Sequence, residues 1–390
     1  MKIKNIRTSL LLWFSGLCII FTGLVIISCS DSTEPTKIVF TALPYASDNY
    51  WLSFAEGITD DGSIVFGSSA VNTPDNGKYF EIAPVFWIDE DITVLPFMNL
   101  PVSYLARQSA VYDISDNGIM VGHEAIGDLS PLGYYYEGDQ WNKIGDSEES
   151  YVQTATGISG DGNIIVGLSN ESQVEMGGYY YNMMSEELNI LASTFKDSVN
   201  YTNAQTNLFD ISEDGTILVG SDSAVKFDNI VVELPIYFDM AKDTLPSLLP
   251  LPSGYIGGIA SAISNDGSTI LGKVYDEAET PYAAYWDNNL QVHVLDTFSP
   301  YPGPDQPATI AHAASNNGDR IVGTSYEIAF IKFNNGQMVH LQDWLEDQGL
   351  TSELADWNLI TATGITPDGH WIVGTGRDGV YSRAFKVYIP

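Results

Sequence analysis

Cysteine is almost absent from this chain: its 390 residues contain two, Cys18 and Cys29. Cys18 lies inside an apolar run near the N-terminus. Once that run is removed only Cys29 remains, so no disulfide, zinc cluster or thiol nucleophile can form within the rest of one chain. A domain of this length without cross-links must be held by its own core, which is large enough. Basic residues are scarce as well, 16 against 50 acidic ones, for a formal charge of −34. Loss of Lys2, Lys4 and Arg7 takes this to about −37. Such a surface repels nucleic acid and anionic membrane, which excludes both as partners. The acidic residues are scattered and form no long block, which reads as solubility in a salty medium, with cation or basic-protein binding as the other reading. The histidines number five, at 123, 293, 312, 340 and 370. They make no HExxH pattern, and no G-x-S-x-G elbow, phosphate loop or dinucleotide fingerprint is present. With fifty carboxylates, a pair at glycosidase-like spacing arises by chance and carries no weight. The sequence therefore implies no cofactor and no metal site.

Long apolar runs are limited to one, Leu10 to Ile27, preceded by Lys2, Lys4 and Arg7 and no acidic residue. Its length suits a membrane-spanning helix or a signal-peptide core. The residues at its C-terminal end decide between them: Ile26-Ile27-Ser28-Cys29 resembles the lipobox of bacterial lipoproteins, and the next residues, Ser-Asp-Ser-Thr-Glu-Pro, are too polar to fold. The resemblance implies that residues 1–28 are a lipoprotein signal peptide, that Cys29 carries the lipid, and that residues 29–36 are a tether. Two or three acyl chains, at about 0.8 kcal/mol per buried methylene, anchor a protein stably to a membrane. The expected location is the outer membrane, on its surface or periplasmic side. The competing reading is an uncleaved signal-anchor helix.

What the sequence has in abundance is repetition. G-I-T-D-D-G-S-I-V-F-G from Gly57 returns as D-I-S-D-N-G-I-M-V-G from Asp113, G-I-S-G-D-G-N-I-I-V-G from Gly157 and D-I-S-E-D-G-T-I-L-V-G from Asp210. It returns again from Ala262, Ala313 and Gly364. The turn glycines are Gly62, Gly118, Gly162, Gly215, Gly267, Gly318 and Gly369, spaced by 56, 44, 53, 52, 51 and 51 residues. This period suits one four-stranded propeller blade. Each string reads as a tight hairpin: Ile and Ser or Thr end one strand, a polar pair with Asp or Asn makes the turn, and Gly takes the left-handed position. The turn carboxylates read as bonding their own backbone. Calcium is the rival reading, but a D-G turn alone offers too few oxygens and EF-hand spacing is missing.

The second half of each repeat adds an aromatic strand, such as Pro84-Val85-Phe86-Trp87 or Gly178-Tyr179-Tyr180-Tyr181, and then a strand rich in Leu, Ile or Val, such as Ile92 to Leu95. Each repeat thus has four strands, here a to d, with the aromatics filling the wedge between blades. Repeat seven ends after its c strand, Arg383 to Tyr388, and lacks d. Lys37 to Leu43 precedes the first a strand without partners and would supply it, removing two sheet edges. The fold predicted for residues 37–390 is an all-β, seven-bladed β-propeller with the N-terminal strand closing the last blade.

The A-x-x-I-S-x-D-G-x-x-I-V-G strings, with the stretch from Asp343-Trp344-Leu345 through Asp356-Trp357 into Ile365 and Gly374, resemble the HAF family of extracellular repeats. The H-A-F tripeptide itself is not present. The resemblance implies architecture and location and says little about activity. The a–b turns are short in every repeat, whereas the b–c and d–a loops vary, among them 69–83, 196–205, 222–233 and 342–358, the last expected to hold a short helix over 344–348. A ligand is therefore expected on the b–c and d–a face. The candidate contacts in or beside those loops are Trp51, Tyr104, Arg107, His123, Tyr301, His312 and Trp357. Each also has a bland reading, loop packing for the aromatics and a surface ion pair for Arg107. With no catalytic motif, the sequence predicts a non-catalytic extracytoplasmic binding module that meets the membrane through Cys29 and takes an envelope protein or glycan as ligand. The alternatives are a glycan-active hydrolase or lyase, and an envelope-assembly scaffold.

Overall fold

The computed structural model describes residues 37–49, 51–72, 80–97, 107–126, 131–145, 152–170, 176–195, 201–226, 231–298, 309–334 and 336–390. Cys29, the signal segment, the tether, Tyr104 and Tyr301 lie outside the described residues. Among the described residues, all regular structure is β apart from short turns of helix. Repeats three to six each form a four-stranded antiparallel sheet in the order a-b-c-d. Repeat four, for example, pairs Tyr201–Ile211, Ile217–Lys226, Val231–Asp239 and Ser247–Leu248 in sequence. Repeats one and two have the same internal order and are joined into one eight-stranded sheet through a single parallel pairing, Ile82 with Gln108. In the last sheet Trp357–Ile365, Trp371–Asp378 and Tyr381–Tyr388 are followed by the N-terminal Val39–Ala42, which pairs antiparallel with Tyr388 to Phe385. These sheets are consistent with propeller blades.

The hairpin string explains its own residues. In repeat four, Ser212 Oγ accepts from the Ile217 N–H at 2.9 Å and donates to Asp214 Oδ1 at 2.7 Å, while Asp214 Oδ1 also accepts from the Thr216 N–H at 3.0 Å. The turn's donors are thus satisfied by the turn's own side chains. Gly215 sits at φ 72°, where a Cβ is strained, and a Cβ there would lie 3.2 Å from Ser159 Cβ. The second glycine of the string has a different reason. A Cβ on Gly220 would stand 1.9 Å from Asn207 O on the a strand. The a strand bulges beside that close approach: Leu208 pairs with Gly220 and Asp210 with Val219, so Phe209 is skipped. The same one-residue slip skips Glu56, Tyr112, Thr156, Ser261, His312 and Thr363 in the other repeats.

The core is divided among the interfaces between consecutive repeats. Leu208, Ile211, Leu218 and Phe238 of repeat four pack on Val166 and Leu191 of repeat three. Ala260, Ile263, Ile270 and Trp286 of repeat five pack on Val219 and Leu249 of repeat four. Val373 and Ala384 of repeat seven pack with Leu43 on Ala55, Val65, Val85 and Trp87 of repeat one. The a strands touch one another in succession, and that of repeat seven touches Ser53–Ile58 of repeat one.

Two local expectations are corrected. Several b–c connections are shorter than the sequence suggested, because their strands continue: Ile64–Asn72 faces Phe80–Ile88, and Ile217–Lys226 faces Val231–Asp239. Alternating apolar and small polar residues let the hairpin pairing run on past the point where polarity suggested a loop. The short helix begins earlier, as Leu341–Leu345, and runs on as a wider turn over Glu346–Leu350 because Leu341, Leu345 and Leu350 are all buried.

Candidate functional site

The variable residue of each turn string, the one after Ser or Thr, is placed in turn by Asp60, Asp116, Gly160, Glu213, Asn265, Asn316 and Pro367. Backbone hydrogen bonds tie many of these to the next repeat: Asp116 N–H to Gly160 O, Gly160 N–H to Glu213 O, Glu213 N–H to Asn265 O and Asn316 N–H to Pro367 O. They form a collar at the a–b ends of the sheets, where side chains from distant repeats meet. Asn265 Nδ2 donates to Asp60 Oδ1 at 2.5 Å, although 205 residues separate the two, and approaches Glu213 Oε2 at 3.5 Å.

Three carboxylates converge there. Oxygens of Asp60, Asp116 and Glu213 lie within 4.8 Å of one another, a spacing that can hold a metal ion. Loss of hydration raises the Asp60 carboxyl above its ordinary value against the Asn265 hydrogen bond, with the charges of Asp116, Asp61 and Asp368 adding to the rise. Partial burial and the charges of Asp60, Asp116 and Asp161 push Glu213 up to about 7. Gly160 makes room for this carboxylate, since a Cβ there would stand 1.4 Å from Glu213 Oε1. Two further carboxylates lie behind the collar. Asp113 Oδ2 accepts from the Ile158 N–H at 2.8 Å and Asp210 Oδ2 from the Ile263 N–H at 2.9 Å, each bridging to the following repeat. Burial raises both, Asp210 to about 7, and Asp113 further feels the Asp210 charge. Like charges held close without a compensating cation favour bound protons or a bound metal ion. An all-oxygen donor set of this kind suits Ca²⁺, Mg²⁺ or Mn²⁺.

The residues singled out by sequence are not gathered into one site. Trp51 is 44% exposed and meets Tyr381 edge to face at 4.6 Å. Trp357 packs on Phe40 at 4.9 Å and on Phe385 at 6.4 Å. Arg107 pairs with the buried Glu124 at 3.6 Å and lies over Phe97. His123 stacks on Tyr112 at 5.2 Å, and burial lowers its pKa. His312 is a bulge residue whose Nε2 lies 3.1 Å from Thr324 Oγ1, and burial takes it down to about 4. None of them has a described hydrogen bond or ion pair with Asp60, Asp116 or Glu213. The collar carboxylates were missed because no short spacing links them. The available signal was the repeat alignment itself, which puts acids at one turn position in repeats one, two and four.

No protein-family model matches the chain, and no curated protein matches it. Solved structures do. An oligogalacturonate lyase from Vibrio parahaemolyticus aligns over 91% of this chain and 97% of its own, with TM-score 0.54 and 10% identity. The β-propeller is the shared architecture. This chain has a β-propeller fold. The propeller domain of the Trilobed protease from Pyrococcus furiosus aligns over 87% of this chain and 95% of its own, with TM-score 0.53 and 10% identity. A prolyl endopeptidase aligns over 87% of this chain and 50% of its own, with TM-score 0.50 and 9% identity. At such identity the likeness shows the fold alone.

The expectation of a non-catalytic module is overturned by the collar. It rested on the lack of nucleophile and histidine motifs, each read within a short window. The carboxylates come from repeats far apart in sequence and meet only in the folded chain.

Proposed function

We propose that this chain is an extracytoplasmic propeller that acts on acidic glycan as a lyase or hydrolase, with a hard divalent cation held at the collar. The observation that carries the reading is the convergence of Asp60, Asp116 and Glu213. In this reading Asp60 and Asp116 hold the cation, Asn265 orients Asp60, and Glu213 moves the proton. Uronic-acid polymers are the substrate class, since their carboxylates complement a bound cation. The decisive experiment incubates the protein with uronic-acid and neutral polysaccharides, with and without Ca²⁺ or Mn²⁺. Cation-dependent loss of chain length, abolished in Asp60→Asn, supports the reading. Lyase action is separated from hydrolysis by the ultraviolet absorbance of the unsaturated product. No cation-dependent cleavage of any uronide refutes it.

The finer architecture belongs to the same proposal. Seven blades closed by the N-terminal strand are supported by the pairing of Val39–Ala42 with the last strand. They are supported too by the hydrogen bond of Leu43 N–H to Ala384 O, which repeats that of Leu95 to Pro84 O and of Leu249 to Pro235 O. Trp87 Nε1 donates to Pro44 O as Trp286 Nε1 does to Pro250 O, so Pro44 stands where the end of a d strand would. We also propose that the propeller is of the HAF-repeat kind, that Cys29 is lipidated and that the protein sits at the outer membrane. The exposed Trp51 and its partner Tyr381 are a proposed secondary contact for glycan on the loop face.

A further inference from the structure

The residue before each turn glycine is, in order, Asp61, Asn117, Asp161, Asp214, Asp266, Asn317 and Asp368. Each of the five aspartates accepts a hydrogen bond from the Ser or Thr hydroxyl two residues earlier. The two amides make the dipeptides Asn117-Gly118 and Asn317-Gly318. Asn-Gly is the pair most open to attack on its own side-chain amide, because glycine leaves its backbone nitrogen unobstructed. That nitrogen bonds to the Asn Cγ, its proton leaves with the side-chain nitrogen as ammonia, and a succinimide ring remains. Water then opens the ring to aspartate or isoaspartate, with no oxidant or reductant required. The chain's other Asn-Gly pairs, at Asn76 and Asn335, have their asparagines outside the described residues.

Both turns are exposed, and in both the glycine N–H is held by the same turn bond, Gly118 to Ser115 O at 2.9 Å and Gly318 to Ser315 O at 3.0 Å. Ring closure must break that bond in either case, so it does not separate them. The asparagine side chains do. Asn117 Oδ1 accepts from Ser115 Oγ at 2.5 Å, and Asn117 Nδ2 donates to Asp161 O of the next repeat at 3.0 Å. A Cβ on Gly162 would stand 2.7 Å from that nitrogen, so the amide is wedged against the neighbouring turn. The Asn317 side chain is exposed and has no hydrogen bond among the described residues; only its backbone N–H is engaged, by Asp266 Oδ2 at 2.9 Å. Asn317 is also the one residue of the seven with a positive φ, 58° with ψ 9°, a region that asparagine tolerates without favouring it. Leaving the folded turn therefore costs Asn317 less, since it has no side-chain bonds to give up and some backbone strain to release.

We propose that Asn317 is a site of spontaneous deamidation in the folded protein, and that Asn117, the same dipeptide at the same turn position, is protected by its bonds to Ser115 and Asp161. The conversion puts a negative charge beside Asn316 of the collar. The aspartate product matches the residue that the five other turns carry there, so the turn accepts it, whereas isoaspartate adds a methylene to the turn backbone. The inference stands apart from the glycan reading and needs no ligand.

The test incubates the full-length protein, folded and in urea, in mildly alkaline buffer. Peptide mapping by mass spectrometry follows both sites, with fragmentation assigning each conversion to its residue. In urea the two sites convert at similar rates, since only the dipeptide acts. In the folded protein Asn317 converts about 10- to 100-fold faster than Asn117, the factor expected from two side-chain hydrogen bonds. Ser115→Ala frees Asn117 Oδ1 and raises the Asn117 rate about 3- to 10-fold while the Asn317 rate in the same sample stays as it was. Equal folded-state rates at the two sites, or an Asn317 that stays intact where the urea sample converts, overturns the proposal. An Asn117 rate unchanged in Ser115→Ala overturns the protecting role of that bond.

Discussion

Raising the pH from about 5 to about 8 destabilises this protein, and a divalent cation restores much of the loss. The cause is the pair Asp210 and Glu213, whose carboxyls move from ordinary values of 3.8 and 4.5 to about 7 on folding. Between those limits the folded state holds more protons than the unfolded one, so stability is greatest below the unfolded values and falls as pH rises through about 7. At about 1.4 kcal/mol per pKa unit, the roughly two units between pH 5 and about 7 set an upper bound of about 3 kcal/mol for Asp210, which relaxation and water entry cut by half or more. Glu213 is half exposed, and screening limits it to about 1 kcal/mol. His312, taken down to about 4 on folding, acts in the opposite sense between about pH 5 and 6.5 and offsets about 1 kcal/mol, so the expected net loss is about 1–2 kcal/mol. Carboxylates held low by their turns, such as Asp161 and Asp214, act in the opposite sense but only on the acid side of their ordinary value, outside this window. A cation at a hundred times its Kd adds about 2.7 kcal/mol at the upper pH. Urea unfolding followed by tryptophan fluorescence, across the pH range with and without Ca²⁺, reads both effects. Stability that stays level or rises between about pH 5 and 8 would refute the reasoning, as would an unchanged slope in Asp210→Asn.

The other expectations concern single features. Gly160→Ala places a Cβ where the Glu213 carboxylate now lies, so cation affinity by calorimetry falls about tenfold while the melting temperature barely moves, because only a flexible side-chain end must shift. Gly215→Val costs about 1–3 kcal/mol in chemical denaturation through its left-handed turn, and a neutral result would mean that the turn is not strained. Deletion of residues 37–43 removes a whole edge strand and the buried Leu43, and lowers the melting temperature more than Gly215→Val does. An unchanged melting temperature there would contradict the closing role of that strand.

Much of the fold was legible because each repeat carries its own local instructions. Ser212, Asp214 and Gly215 satisfy one turn by themselves, and the same grammar recurs in every repeat, so strand number and turn position follow from sequence alone. The second glycine could be seen but not explained, since its close approach to the a strand needs the bulge that only pairing reveals. The b–c hairpins ran on past their expected ends because cross-strand pairing overrode local polarity. The candidate site was the least legible part. Asp60, Asp116 and Glu213 each look like one more solvated turn acid. Sequence determined the blade and its turns because those forces act within about ten residues. The tertiary structure alone decided the site, because these charges acquire meaning only when the fold brings distant repeats together and removes part of the water that would otherwise screen them.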